Sequence, residues 1–177
     1  MKISLEGKSA LVGGSSKGIG FGIAKQLAES GASVCLMARD EKKMKELVQS
    51  LPSNNSQEHS YLVVDFSDFD SFKNIIDEYL SERHVDILIN NTQGVPAGNS
   101  LSKSIDDYQN AFDILFKCVV YTSSIALNKM KEKGWGRIIN LTSISVKEPL
   151  NYLVLSNSIR AAVVTWGKSL SVDLAPL

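Results

Sequence analysis

The sequence predicts an α/β fold, a doubly wound parallel sheet with helices on both faces. Three observations point there. Short apolar runs alternate with longer amphipathic ones along all 177 residues. The apolar runs are near-continuous rather than alternating, as strands covered on both faces require. A glycine-rich turn, Gly13 to Gly20, joins the first apolar run directly to a helical pattern.

Each element follows from its pattern. Strands are predicted at 9–14 (SALVGG), 33–38 (SVCLMA), 61–65 (YLVVD), 85–90 (VDILIN) and 137–143 (RIINLTS). Helices are predicted over 18–30, 41–51, 69–82, 104–132 and 150–174. In the last, Ile159, Val163, Trp166 and Leu170 recur at three- and four-residue spacing, an apolar stripe for a sheet to cover. Pro52 to Ser56 ends the second helix, and Gly94 to Ser100 separates the fourth strand from its helix. No repeat or linker interrupts the series. Residues 1–177 therefore read as a single domain, with right-handed crossovers between parallel strands.

Composition narrows the function. A hydrophobic fraction of 44% excludes a disordered chain. Nineteen basic residues balance nineteen acidic ones, leaving no global field to draw in nucleic acid. Cys35 and Cys118 lie in separate apolar runs and read as buried thiols of a reducing compartment. With only His59 and His84 and no Cys-x-x-Cys, no metal site is expected. The opening MKISLEGKSALVGG runs straight into a strand, and no apolar run approaches the roughly 18 residues of a membrane span. A soluble, cytoplasmic protein without membrane or nucleic-acid partners is the expectation. The Asn-x-Ser/Thr matches at Asn54, Asn90 and Asn140 are read as chance.

The glycine turn carries the chemistry. Gly14 allows a tight turn, Gly18 lets a phosphate approach the backbone, and Gly20 lets helix pack closely on strand. Amide groups of Ser15, Ser16, Lys17, Gly18, Ile19 and Gly20 would then face a pyrophosphate, helped by the helix dipole. No Gly-Lys-Ser/Thr closes the run, so it is not a P-loop. A dinucleotide with an unmodified ribose would call for an acid after the second strand. Here Ala38 and Arg39 stand there, with Lys17 in the turn and Asp40 following. Two cations suit a 2′-phosphate, so NADP (as NADPH) is favoured over NAD.

Together, Gly14-x-x-x-Gly18-x-Gly20, Asp65 after the third strand, N-N-T-Q-G at 90–94 and G-R-I-I-N-L-T-S at 136–143 resemble the short-chain dehydrogenase/reductase superfamily, particularly its 3-oxoacyl-acyl-carrier-protein reductases. The resemblance covers essentially the whole chain. It implies a Rossmann-type NAD(P) site in which Asp65 and the Phe66 amide hold the adenine. Asn91, in a variant of the usual N-N-A-G with Thr92 and an inserted Gln93, would lie near the adenosine ribose.

For the reaction, the resemblance implies a carbonyl or secondary-alcohol substrate, a tyrosine proton donor, a lysine four residues later, an orienting serine and an upstream asparagine. Ser143 matches the serine. The tyrosine position holds Ser156, the lysine position Arg160 and the asparagine position Leu115. A serine hydroxyl is a far weaker acid than a phenol, whereas Arg160 keeps a positive charge for the nicotinamide ribose. Tyr152, four residues before Ser156, offers a replacement on one helix face if the helix has begun there; otherwise it packs at the helix start.

Three readings stay open: an oxidoreductase with an altered proton donor, a catalytically silent NADP-binding module, and a structural protein that has lost nucleotide. Relatives pair their two long helices across a two-fold axis, so a homodimer or homotetramer is expected. They also continue through two strands beyond the last helix seen here. An uncovered fifth strand at a sheet edge is therefore expected, to be met by further chain or another segment.

Overall fold

Five parallel strands form one sheet in the order β3-β2-β1-β4-β5. They are β1 (Ser9–Val12), β2 (Ser33–Ala38), β3 (Ser60–Val63), β4 (Ile87–Asn90) and β5 (Arg137–Asn140). Six α-helices connect them: α1 (Gly18–Glu29), α2 (Glu41–Ser50), α3 (Phe69–Glu82), α4 (Ile105–Phe112), α5 (Cys118–Glu132) and α6 (Val154–Leu174). This computed structural model describes residues 3–54 and 56–175; Asn55 of the predicted loop, and Pro176 and Leu177 past the last helix, lie outside them.

The sheet buries an apolar layer on each side, which is what its continuous strands predict. Leu11, Cys35, Met37 and Leu88 face Phe72 and Ile76 of α3 and Cys118 and Ala126 of α5. Ala10, Val12, Leu36 and Ile89 face Ala24 and Ala28 of α1 and Met44 of α2. β2 and β4 are buried almost throughout, while the edge strands β3 and β5 are half covered, with Ile139 of β5 50% exposed.

Capping explains three of the helix starts. Asp40, Asp68 and Ser104 accept hydrogen bonds from the amides of Lys43, Ser71 and Asp107, and Ser104 with Asp107 completes a capping box. The start of α1 is different: Lys17, in extended conformation at its N-cap, makes no side-chain cap.

Two helices depart from their predicted form. The run expected as one helix over 104–132 contains a π-helical turn, Asp113–Lys117, between α4 and α5. The continuous run Ile105–Glu132 is also long and apolar enough for a membrane span, which corrects the sequence expectation. One face of it, including Leu115, Cys118, Val119 and Ala126, is buried inside the protein. The last helix starts at Val154 rather than at 150, because Tyr152 takes a left-handed φ of 58° that breaks the helical path.

Candidate active site

The strand order reverses between β1 and β4, so the loops leaving their C-terminal ends diverge and open a crevice. The glycine turn leaves β1 and the Asn-Asn-Thr-Gln segment leaves β4, and the two meet there. Asn91 donates through its side-chain amide to the carbonyls of Gly13 (3.1 Å) and Gly14 (3.3 Å). Gly14 has a φ of 55°, the left-handed region that favours glycine, and a side chain on Gly20 would run into the Gly14 carbonyl. Gly18, with φ of 57°, faces open space instead, with nothing within 4 Å of where a side chain would begin.

Above this turn the first amides of α1 have no side-chain partner. A helix N-terminus in that state presents donors and a positive dipole end to an anion. Lys17 and Ile19 are exposed on the turn and Ser16 is half-buried. Ser15 behaves otherwise: fully buried, it accepts from the Met37 amide (2.9 Å) and donates to the Met37 carbonyl (3.3 Å). Its amide also donates to the Met37 carbonyl (3.1 Å), so the Ser15 amide expected to face a pyrophosphate is instead used to anchor the turn to β2.

That anchor brings the turn beside the end of β2, two residues before Arg39. The Arg39 guanidinium is mostly exposed and lies 3.9 Å from the Asp65 carboxylate, a loose surface pair that costs little to release. Asp65 also accepts from the amide and hydroxyl of Ser67, and those bonds, with Arg39 adding to them, hold its carboxyl below the usual range. Asp40, next to Arg39 in sequence, is spent on capping α2, and Glu41 pairs with Lys45 (2.8 Å). Phe66 is buried against Phe72, ring centroids 5.3 Å apart, which leaves only its backbone for a ligand.

The second half of the site forms where β5 ends and α6 begins. Ser143 precedes a 3-10 turn, Ile144–Val146, which packs on α6, and its hydroxyl accepts from the Ser145 amide (3.1 Å). Ser156 and Arg160 lie one turn apart on α6, and the Arg160 Nε–H donates to the Ser156 hydroxyl (3.2 Å). A second guanidinium nitrogen, Nη1, donates to the Leu141 carbonyl at the end of β5 (2.8 Å). Burial lowers the pKa of Arg160, whose ordinary value lies far above neutrality. Leu115 is buried in the π-helical turn and offers no polar atom.

Tyr152 does not join this line. It is 66% exposed on the turn before α6, and its carbonyl accepts from the Gly98 amide (2.7 Å), tying the loop after β4 to the start of α6. The alternative of a Tyr152–Ser156–Arg160 line on one helix face is therefore absent, because the helix has not begun at Tyr152. Sequence reasoning also missed Asn91 as the brace of the glycine turn and the Ser145 amide as the partner of Ser143. Asn91 stands in the Asn-Asn motif, but its glycine-turn partners are set by which loops the sheet brings together, whereas the Ser143–Ser145 bond is a local turn two residues long.

A parallel sheet with a strand reversal between β1 and β4 and a glycine turn leading into an uncapped helix define an α/β protein of Rossmann type. Residues 8–177 match the short chain dehydrogenase family, and the chain belongs to it. It is 32% identical to an uncharacterized oxidoreductase of Staphylococcus epidermidis over 95% of this chain and 72% of that one. It is equally 32% identical to the 3-oxoacyl-[acyl-carrier-protein] reductase FabG of Chlamydia pneumoniae, over 99% of this chain and 71% of that protein. Among solved structures, L-sorbose reductase from Gluconobacter frateurii, complexed with NADPH and L-sorbose, matches with a TM-score of 0.91 and 26% identity, over 99% of this chain and 67% of that one. A 3-oxoacyl (acyl-carrier-protein) reductase from Agrobacterium tumefaciens with NADP bound matches at 0.87 and 27% identity, over 98% of this chain and 67% of that one. The family is one of oxidoreductases, and the parallel five-stranded sheet agrees with it.

Proposed function

We propose that the protein is an NADPH-dependent oxidoreductase that transfers hydride between this coenzyme and a ketone or 3-oxoacyl-type carbonyl, or the corresponding secondary alcohol, without a phenolic proton donor. The observation that carries the reading is the uncapped N-terminus of α1 above the Gly14–Gly18 turn, with Lys17 and Arg39 beside it. The open space at Gly18 and the free amides fit a pyrophosphate, and the two cations fit a 2′-phosphate. NADPH-bound L-sorbose reductase and the NADP-bound acyl-carrier-protein reductase support the same coenzyme. When bound, the coenzyme supplies hydride. Ser143 orients the carbonyl, Ser156 donates a hydrogen bond to it, and Arg160 places positive charge behind that hydroxyl.

Nicotinamide fluorescence during titration tests this. NADPH is expected to bind about tenfold tighter than NADH, a difference of about 1.4 kcal/mol, and Arg39→Ala to erase the preference. Absence of binding by either coenzyme overturns the reading. A silent NADPH-binding module is the second reading, favoured by the apolar Leu115 and by Ser156 in the tyrosine position. Coenzyme binding without turnover across ketones and β-ketoacyl thioesters would select it.

Association as a homodimer or homotetramer is part of the proposal. Phe112, 38% exposed, stacks on Phe116 (5.1 Å between centroids), which meets Trp166 of α6 edge-on (6.3 Å), making an aromatic face on the two long helices. Phe112→Glu is expected to convert the assembly to monomers in light scattering, with the circular dichroism spectrum unchanged. A wild-type protein already monomeric at high concentration removes this part.

A further inference from the structure

We infer that the turn Leu150–Leu153 is a two-position switch, in which flipping the Asn151–Tyr152 peptide adds one turn to α6 and releases the loop that follows β4. The switch belongs to the fold and goes beyond the proposed hydride transfer, on which it does not depend.

The observed position is a strained one. The Leu153 amide donates to the Leu150 carbonyl (3.3 Å), closing a four-residue turn. Tyr152, third in that turn, has a φ of 58°, and among the described residues no other non-glycine has a positive φ. A turn with positive φ at its third position alone is type II, which favours glycine or asparagine there. Asn151 stands one place too early, and the tyrosine carries the left-handed penalty. Its side chain recovers little, since the ring is 66% exposed. Leu153, at the N-cap of α6, supplies no side-chain cap either.

Two bonds to another loop hold this form. Gly98 donates to the Tyr152 carbonyl (2.7 Å), and its own carbonyl accepts from the Val154 amide (3.3 Å). Both bonds have replacements within α6. A type I turn differs from type II in ψ of its second residue and φ of its third, the angles on either side of one peptide. Flipping that peptide brings both central residues near helical values, so the helix runs back to Leu150, where the sequence pattern places its start. The Val154 amide then meets the Leu150 carbonyl. The Ser156 amide, which has no acceptor among the described residues, meets the Tyr152 carbonyl. Two hydrogen bonds are exchanged for two, and the left-handed residue disappears. Pro149 does not oppose the change, because a helix start needs no amide from it. Against the change stand the Gly98 amide and carbonyl, which must turn to water. Opposing terms of similar size leave both forms populated. In the extended form Tyr152 lies one turn before Ser156 on the same helix face, and the loop between β4 and α4 is free of α6. The mouth of the crevice and the start of α6 thus move together.

Hydrogen exchange of the Gly98 amide reads the switch, because that proton is bonded only in the observed form. Its sequence neighbours are untouched by substitutions in the turn, so its intrinsic exchange rate stays constant. Tyr152→Gly removes the left-handed penalty and is expected to slow Gly98 exchange about tenfold. Tyr152→Asn, whose side chain tolerates the same region, should slow it by a smaller factor. Asn151→Ala favours the helical form and is expected to speed it about threefold. The Leu88 amide, in the buried centre of the sheet, reports global opening and should not speed up in that variant. Gly98 exchange that is unchanged or faster in both Tyr152 variants would overturn the switch. So would an Asn151→Ala protein in which Gly98 does not respond, or in which Gly98 and Leu88 accelerate together. None of these outcomes bears on NADPH binding, whose failure removes the proposed function alone.

Discussion

Gly20→Ala is expected to abolish measurable NADPH binding while leaving the protein folded. Gly20 is buried in the first turn of α1, and an added Cβ there would overlap the Gly14 carbonyl oxygen and stand 2.9 Å from the Asn91 side-chain amide nitrogen. The first is backbone; the second is held by the Gly13 and Gly14 carbonyls, so neither can yield alone. The helix must lift away from the turn. Its leading amides then no longer converge on one phosphate position, and a loss of at least ~100-fold in affinity, about 2.7 kcal/mol, follows. Gly22→Ala on the same helix is the control. Its added carbon meets nothing within 4 Å, so affinity should hold, and helix propensity should stabilise the protein by about 0.5–1 kcal/mol. Fluorescence titration of both variants, with circular dichroism to check folding, decides the matter. An unchanged dissociation constant for Gly20→Ala would mean that the coenzyme does not sit over this turn.

The glycine positions were legible in the sequence because backbone geometry leaves few residues able to occupy them. The strands were legible for a similar reason: a strand covered on both faces must be mostly apolar, and β1, β2 and β4 are, apart from Ser9, Ser33 and Asn90 at their ends. Their ends were harder to place. The predicted strands run past Val12, Val63 and Asn140, where β1, β3 and β5 end, although the Gly13 and Leu141 amides still donate to the Ile89 and Asn90 carbonyls of β4.

The π-helical turn at 113–117 gave no signal, because inserting one residue into a helix already apolar on several sides leaves the pattern nearly unchanged. The start of α6 was misplaced because the residue that breaks it is Tyr152 rather than a glycine. A left-handed tyrosine is held there by the Gly98 amide, a contact between segments more than fifty residues apart. In the site, the residue types and spacing of Ser143, Ser156 and Arg160 could be read directly. The anchoring of Arg160 on the Leu141 carbonyl could not, since that contact joins the end of β5 to α6 and is set by the fold. Ser15 failed in the same manner: its position in a phosphate-type turn is plain, but its burial against Met37 is a tertiary fact.

At the opposite end of the sheet, Asp86→Ala is expected to cost about 3 kcal/mol of stability at neutral pH, and to lower the melting temperature by roughly 10 °C. Asp86 immediately precedes β4 and is buried. Its carboxylate accepts from the Ser9 amide (2.9 Å) and hydroxyl (3.0 Å) and pairs with the His84 ring (3.0 Å), with Lys8 at 3.6 Å. The group thus ties the start of β1 to the start of β4, the central pair of the sheet. Removing it leaves the Ser9 amide and the His84 ring nitrogen without their acceptor, while the Ser9 hydroxyl keeps the His84 carbonyl (2.7 Å).

The pH dependence follows from the same contacts. Burial works against the ionised form of Asp86, but the Ser9 amide, the His84 ring and the Ser9 hydroxyl outweigh it and hold the pKa below its ordinary value. A carboxyl with a depressed folded-state pKa contributes stability that is fully present above its unfolded value, near pH 4, and lost as pH falls through the folded value. Asp86→Asn keeps the shape and removes the titration. The gap in melting temperature between wild type and Asp86→Asn should therefore be widest near neutrality and close as the solution is acidified below about pH 4. A gap that stays constant across that range would assign the stabilisation to packing around Asp86, whereas a closing gap assigns it to the buried charge.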